Sequence, residues 1–180
     1  MLTLEQFLIS IERKAFRIAQ LAVKNDADAL DLVQDSMFKL AQKYGHWQGE
    51  DKSSEWRPLF YRILQNRILD FHRSNSRHKR FIFAMTYEQD NDSGEIDIQH
   101  EYQAVEHGPE DYAQFEQTGA NALHAIENLP LMQQQCFLLR NWEGFSVKET
   151  AKILNLTEGS IKTHHFRALK KLKEQLNDNS

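Results

Sequence analysis

Lys162, Thr163, His164 and Arg167 crowd into six positions, and Lys170, Lys171 and Lys173 follow at once. Side chains of these types suit one task. Short polar groups and arginines hydrogen-bond base edges, and cations neutralise the phosphates around them. Ile161, Ala168 and Leu172 recur at offsets of seven and eleven, with Leu169 widening the stripe, so they form the apolar side of a helix. The polar and basic residues must then face elsewhere. The helix is preceded by a shorter one. Ser146 and Glu149 have the spacing of a capping box, Val147, Ala151 and Leu154 give a thin apolar stripe, and Asn155 suits a left-handed stop. Thr157 can cap the second helix, with Glu158 near its positive end. Two short helices, a tight turn and a basic second helix are the pattern of a helix-turn-helix, whose second helix enters the DNA major groove. The same pattern fits an ordinary amphipathic hairpin with a solvated basic face, so the rest of the chain has to decide.

A net charge of −4 argues against nucleic acid until its distribution is seen. Residues 57–80 hold seven Lys or Arg against Asp70, and residues 157–173 hold five against Glu158. Residues 88–116 hold ten Asp or Glu and no Lys or Arg. Two basic segments flanking an acidic one are more informative than the sum. Long helical periodicities, few glycines and prolines, and no sustained alternation predict an all-α protein. Cys136, alone of its kind, excludes an intramolecular disulfide and reads as a small buried hydrophobe. The N-terminus lacks the apolar run of a signal peptide, and no segment has the length of a membrane span, so a cytoplasmic chain without membrane insertion is expected.

The first helix is expected over about Leu4 to Val23, with Phe7, Ile11, Ala15, Ile18 and Ala22 inward. The second is expected from near Asp28 to Tyr44, stopped by Gly45, with Leu30, Val33, Met37, Leu40 and Tyr44 apolar. After a polar loop, a third begins near Glu55, with Pro58 in its first turn and Trp56, Phe60, Ile63, Leu64 and Ile68 inward. Residues 87–118 read as an acidic linker. A second small unit follows, with helices around Leu123 to Asn128 and Leu131 to Trp142 and then the hairpin. The expected architecture is therefore two small helical domains, 1–86 and 119–180, joined by that linker, the second carrying the helix-turn-helix.

Two separated segments then share one likeness. DALDLVQDSMFKL (28–40), WQG (47–49) and WRPLFYRILQNRILDFHR (56–73) match region 2 of sigma factors. Leu129–Pro130, LLRNWEGFSVKETAKIL (138–154) and EGSIKTHHFRALKKL (158–172) match region 4. The chain resembles an extracytoplasmic-function sigma factor of the sigma-70 family, a type that has only these two regions.

The resemblance implies a transcription initiation factor that binds core RNA polymerase and directs it to promoter DNA. Asp31, Gln34, Asp35 and Phe38, at offsets of three, four and seven, share a helix face and would dock on the polymerase; the same pattern also fits a solvated face. Trp47 corresponds to an aromatic that helps hold a flipped base of the −10 element, and Asn66 to an asparagine that hydrogen-bonds a base edge. Arg62, Arg67 and Arg73 would take phosphates there. Ser160, Lys162, Thr163, His164, Arg167, Lys170 and Lys171 would meet the −35 element. His164 stands where relatives often carry Arg, and His165 takes an inward position that is usually aliphatic, a satisfied boundary histidine. Asp70 reads as structural, pairing with Arg73 or Arg67. The resemblance admits an anti-sigma factor as a further partner. It also suggests that the acidic linker, including Glu95, Asp97 and Glu101, enters a basic polymerase channel.

No HExxH, CxxC or His-rich spacing predicts a metal, and no cofactor is expected. Aligning Gly94 with the sixth position of a calcium loop puts Gln89 first and His100 twelfth, where acids are required. With no phosphate loop or nucleophile elbow, catalysis by the chain itself is not expected. The remaining alternative is a helix-turn-helix regulator that uses its N-terminal helices for dimerisation or sensing, without stable polymerase binding.

Overall fold

A computed structural model describes residues 3–45, 53–86 and 115–178, and all their regular structure is helical. Helix α1 (Leu4–Val23) starts in a capping box, with Gln6 N–H donating to Thr3 Oγ1 at 3.2 Å and Thr3 N–H to Gln6 Oε1 at 3.1 Å. It ends on Lys24, held left-handed at φ 56° by a bond from its N–H to the Gln20 carbonyl. Helix α2 (Asp26–Tyr44) begins two residues earlier than the sequence predicts, because Asn25 supplies a cap and accepts from Asp28 N–H at 3.0 Å. Gly45 ends it with right-handed dihedrals. Its lack of a side chain matters for a different reason: a Cβ there would collide with the Ala41 carbonyl.

Helix α3 (Ser53–Thr86) starts two residues before the expected Glu55, which places Pro58 beyond the first turn. Phe60, Leu64 and Ile68 lie one turn apart on its inner side, and all are fully buried with Trp56 close behind. Against them pack Phe7, Ile11, Ala15 and Ile18 of α1 and Ala29, Val33 and Leu40 of α2. Phe7 and Trp56 meet with ring centroids 5.8 Å apart. Leu30 departs from the expected stripe. It is 42% exposed, because α2 turns Ala29, Val33, Ser36 and Leu40 to the core and leaves position 30 at the edge.

Helix α4 (Phe115–Glu127) starts well before Leu123 and takes in residues 115–118, which the sequence assigns to the linker. Helix α5 (Leu131–Phe137) passes into a π-helical turn (Leu138–Trp142), where a single α-helix is expected. Glu143 N–H bonds the Leu138 carbonyl at 3.1 Å and Phe145 N–H the Leu139 carbonyl at 3.0 Å. Gly144, at φ 70°, makes that wide exit possible. Helix α6 (Val147–Leu154) has the predicted capping box, at 3.1 and 2.8 Å, and stops on a left-handed Asn155. Helix α7 (Glu158–Asp178) is capped by Thr157, whose Oγ1 accepts from Ser160 N–H at 3.1 Å. Its Ile161, Ala168 and Leu172 are buried as predicted, while Leu169 stays 42% exposed.

The helices α1–α3 and α4–α7 are in direct contact, through α1 against α4 and α5 and through α3 against α6. Their buried apolar residues form one continuous cluster.

Candidate nucleic-acid interface

Three exposed faces gather the residues singled out by sequence. The first is on α2. At about 100° per residue, Asp31, Gln34, Asp35 and Phe38 fall within roughly 100° of one another, opposite the buried Ala29, Val33, Ser36 and Leu40. All four are exposed, Phe38 by 68%. Among the described residues this phenylalanine stays open beside the acids.

The second face is on α3. Arg62, Asn66 and Arg73 are exposed and lie within about 40° of each other. Arg67 does not join them. It points toward α2 and pairs with Asp35 at 3.3 Å, because its position lies on the side of α3 that packs there. One residue expected at phosphates and one expected at the polymerase thus hold each other. Arg73 reaches Asp70 at 3.5 Å, the pairing predicted for that acid. Among the described residues Arg62 has no ion pair. Trp47 falls outside the described residues, as do Glu95, Asp97 and Glu101.

The third face is on α7. Ser160, Thr163, His164, Arg167, Lys170 and Lys171 occupy an arc of about 120° that avoids the buried Ile161, Ala168 and Leu172. Lys162 stands off this arc, toward the exposed Phe166 and Leu169. The Ser160 hydroxyl is already engaged, accepting from Thr157 Oγ1 at 2.9 Å within the cap. Thr163 Oγ1 donates to the Gly159 carbonyl at 3.0 Å and keeps its acceptor capacity. Arg167 and Lys171 are exposed and carry no ion pair among the described residues, and Lys170 approaches Glu174 only at 4.0 Å. The arc stands on a helix whose start is already capped, with Ser160 and His164 half-buried within it.

What fixes α7 in place includes the histidine that departs from the usual pattern. His165 Nε2 lies 2.7 Å from Asn141 Oδ1, a satisfied boundary contact joining α7 to the π turn. Burial first, and the nearby Arg140 charge second, hold His165 below its ordinary pKa. Glu149 is also lowered, by its hydrogen bonds with Ser146.

The sequence reading overlooked one polar group. Arg57, Tyr61 and Gln65 of α3 recur every four residues and face the second unit. Arg57 pairs with Glu143 at 2.8 Å, donates to the Glu143 carbonyl as well, and sits 4.4 Å from the Phe145 ring centre. Tyr61 and Phe145 meet edge to face at 5.5 Å. Gln65 Nε2 donates to Gln135 Oε1 at 2.7 Å, Gln135 Nε2 to Gln134 Oε1 at 2.9 Å, and Gln134 Nε2 to the Leu21 carbonyl at 3.1 Å. A polar i, i+4, i+8 row on a helix whose neighbouring side is apolar was the available signal.

Comparison with known proteins identifies the family. Sigma-70 region 2 matches residues 6–78, and Sigma-70 region 4 matches residues 120–172. The ECF RNA polymerase sigma factor BldN of Streptomyces coelicolor is 30% identical over 167 residues, which cover 92% of this chain and 57% of BldN. The chain therefore spans little more than half the length of that relative. The RNA polymerase sigma factor SigV of Bacillus subtilis is 29% identical over 161 residues, 89% of this chain and 83% of SigV. Among solved structures, the sigma factor RpoE of Bartonella quintana, crystallised with the anti-sigma factor NepR, shares the fold with a TM-score of 0.61, 20% identity and 96% coverage of both chains. With regions 2 and 4 both matched, and in that order, the chain belongs to the sigma-70 family of RNA polymerase sigma factors, as a member of the extracytoplasmic-function type.

Proposed function

We propose that this chain binds core RNA polymerase in the cytoplasm and directs it to promoters through two separate contacts. Residues 1–86 act as region 2 and residues 119–180 as region 4, with the acidic segment 87–118 as tether. On α7, Thr163, His164 and Arg167 read the −35 element, while Lys170 and Lys171 neutralise phosphates and Lys162 does so from the flank. Ser160 contributes through its hydroxyl proton. On α3, Asn66 meets a −10 base, Arg62 and Arg73 take phosphates, and Arg67 joins them once released from Asp35. Trp47 stacks on an unpaired base. Asp31, Gln34, Asp35 and Phe38 dock on the polymerase. An anti-sigma factor would bind in competition with these contacts.

The observation that carries this reading is the open basic arc of α7, set on a capped helix-turn-helix in a chain of net negative charge. Such a chain has little general affinity for DNA and needs a local site. Runoff transcription with purified core polymerase tests it. Core-dependent transcripts from a defined start are expected. Failure to bind core, with retained DNA binding, would favour a stand-alone helix-turn-helix regulator. Permanganate footprinting separates the two contacts: Trp47→Ala should impair opening more than closed-complex binding.

A further inference from the structure

We propose that the Asn141–His165 pair is a specificity determinant: it fixes how far α7 is rolled about its own axis, and so decides which base edges Thr163, His164 and Arg167 can reach. Both members act through those three side chains, so they are positioning residues, and the inference rests on the −35 assignment above. The geometry carries it. His165 lies roughly 160° around α7 from the middle of the open arc, and about midway along it. It therefore anchors the helix from the side opposite the reading residues. Its Nε2–H donates to Asn141 Oδ1 at 2.7 Å. Burial first and Arg140 second favour the neutral ring, whose single proton then sits on the nitrogen that faces this acceptor. The neighbouring inward side chains of α7 are apolar, with Ile161, Ala168 and Leu172 buried. Apolar burial is non-directional and tolerates a small roll. A hydrogen bond tolerates less, because it weakens steeply once bent. Reading side chains stand roughly 5–6 Å from the helix axis, so a roll of about 10° carries them by about 1 Å. That displacement is enough to lose a bidentate contact with a base edge.

Asn141 is held on a rigid mount. It belongs to the π turn, which is braced by Glu143 N–H on the Leu138 carbonyl at 3.1 Å and by Phe145 N–H on the Leu139 carbonyl at 3.0 Å. Arg140, the residue before it, donates to the Phe145 carbonyl. Leu138 and Leu139 are fully buried beneath the turn. A π turn set into a helix changes where its side chains point, and such turns recur at functional sites. Here it aims Asn141 at α7 while the residue stays exposed. Water can replace a bond this open, so its net worth to stability is small. What the bond supplies is orientation. The apolar residue that the family pattern puts at position 165 would bury more surface and give no such reference.

Sequence selection by holoenzyme, reconstituted from the full chain and purified core polymerase, tests the pair. Duplexes randomised over the −35 element yield the preferred sequence, and the affinity ratio between it and a scrambled −35 is then measured. His165→Leu exchanges the bond for apolar packing. It should lower the ratio about three- to ten-fold, with binding to the scrambled duplex within about two-fold of wild type and the thermal midpoint no lower. His165→Gln keeps a donor toward Asn141 and should restore the ratio. Asn141→Ala, at an exposed position, should match His165→Leu, and the double variant should be no worse than either alone. An unchanged ratio in either single variant overturns the proposal. So does a loss that His165→Gln shares, or one accompanied by an equal loss on the scrambled duplex, which would make the pair merely structural. If wild-type holoenzyme selects no sequence at −35, the −35 assignment itself fails and the inference falls with it. A sequence selected alike by wild type and variants sinks the inference alone.

Discussion

The helices α3 and α7 carry the two faces proposed to meet DNA, and they hold most of their cations differently. On α7, Arg167 and Lys171 point to solvent unpaired, and the helix start is already capped. On α3, Arg57 is tied to Glu143, Arg67 to Asp35 and Arg73 to Asp70. The face proposed to read the −35 element thus offers unpaired cations as it stands. On the face proposed for the −10 element Arg62 is unpaired among the described residues, whereas Arg67 and Arg73 would exchange their carboxylates for phosphates.

The strongest way to break the contrast lies beneath the faces. Phe60→Ala on α3 should cost about 3–5 kcal/mol by removing a fully buried ring, measured by denaturant unfolding. Leu169→Ala, on the exposed flank of α7, should change stability by less than about 0.5 kcal/mol. A similar loss at both sites would mean that α7 is packed more tightly than the described faces allow. The same substitution on the two helices gives the next largest difference. Arg167→Ala should weaken binding to −35 DNA by about 1–3 kcal/mol in a gel-shift titration. Arg67→Ala should leave that affinity unchanged, because its guanidinium is occupied by Asp35 in the free chain. Comparable losses would place Arg67 on the same DNA surface as Arg167.

A cap is worth less. Ser146→Ala should destabilise the helix-turn-helix by about 1 kcal/mol, read as a shift in thermal midpoint, and should lower DNA affinity only through stability. The smallest effect is a dependence on pH. The folded chain holds His165 below its ordinary 6.5, so the unfolded chain binds the proton more readily. Stability is then fully present above that value and falls as the pH drops through it. His165→Gln, which retains a donor toward Asn141, should flatten this part of the profile. Glu149 is also lowered, and its contribution is lost in the same direction at still lower pH.

The amino-acid sequence by itself determined the elements whose causes are local. The cap pairs Ser146–Glu149 and Thr157–Ser160 and the left-handed Asn155 each depend on a few adjacent residues. The buried stripes of α1, α3 and α7 follow from helical spacing, and so do the shared faces of α2 and α7. Where a neighbouring helix intervenes, spacing no longer suffices. Arg67 and Asp35 are 32 positions apart and meet because α2 and α3 pack together, a pairing that helical spacing alone does not show. Leu30 looked inward by periodicity and was left at the rim because α2 turns Ala29, Val33, Ser36 and Leu40 to the core. The π turn before Glu143 was equally hidden, since it depends on how the chain leaves α5 to reach Tyr61 and Arg57. Only the tertiary structure decided that Arg57, Tyr61 and Gln65 face Gln135, Glu143 and Phe145. The physical reason is that polar pairing at long range depends on which surfaces meet, and no local pattern encodes that.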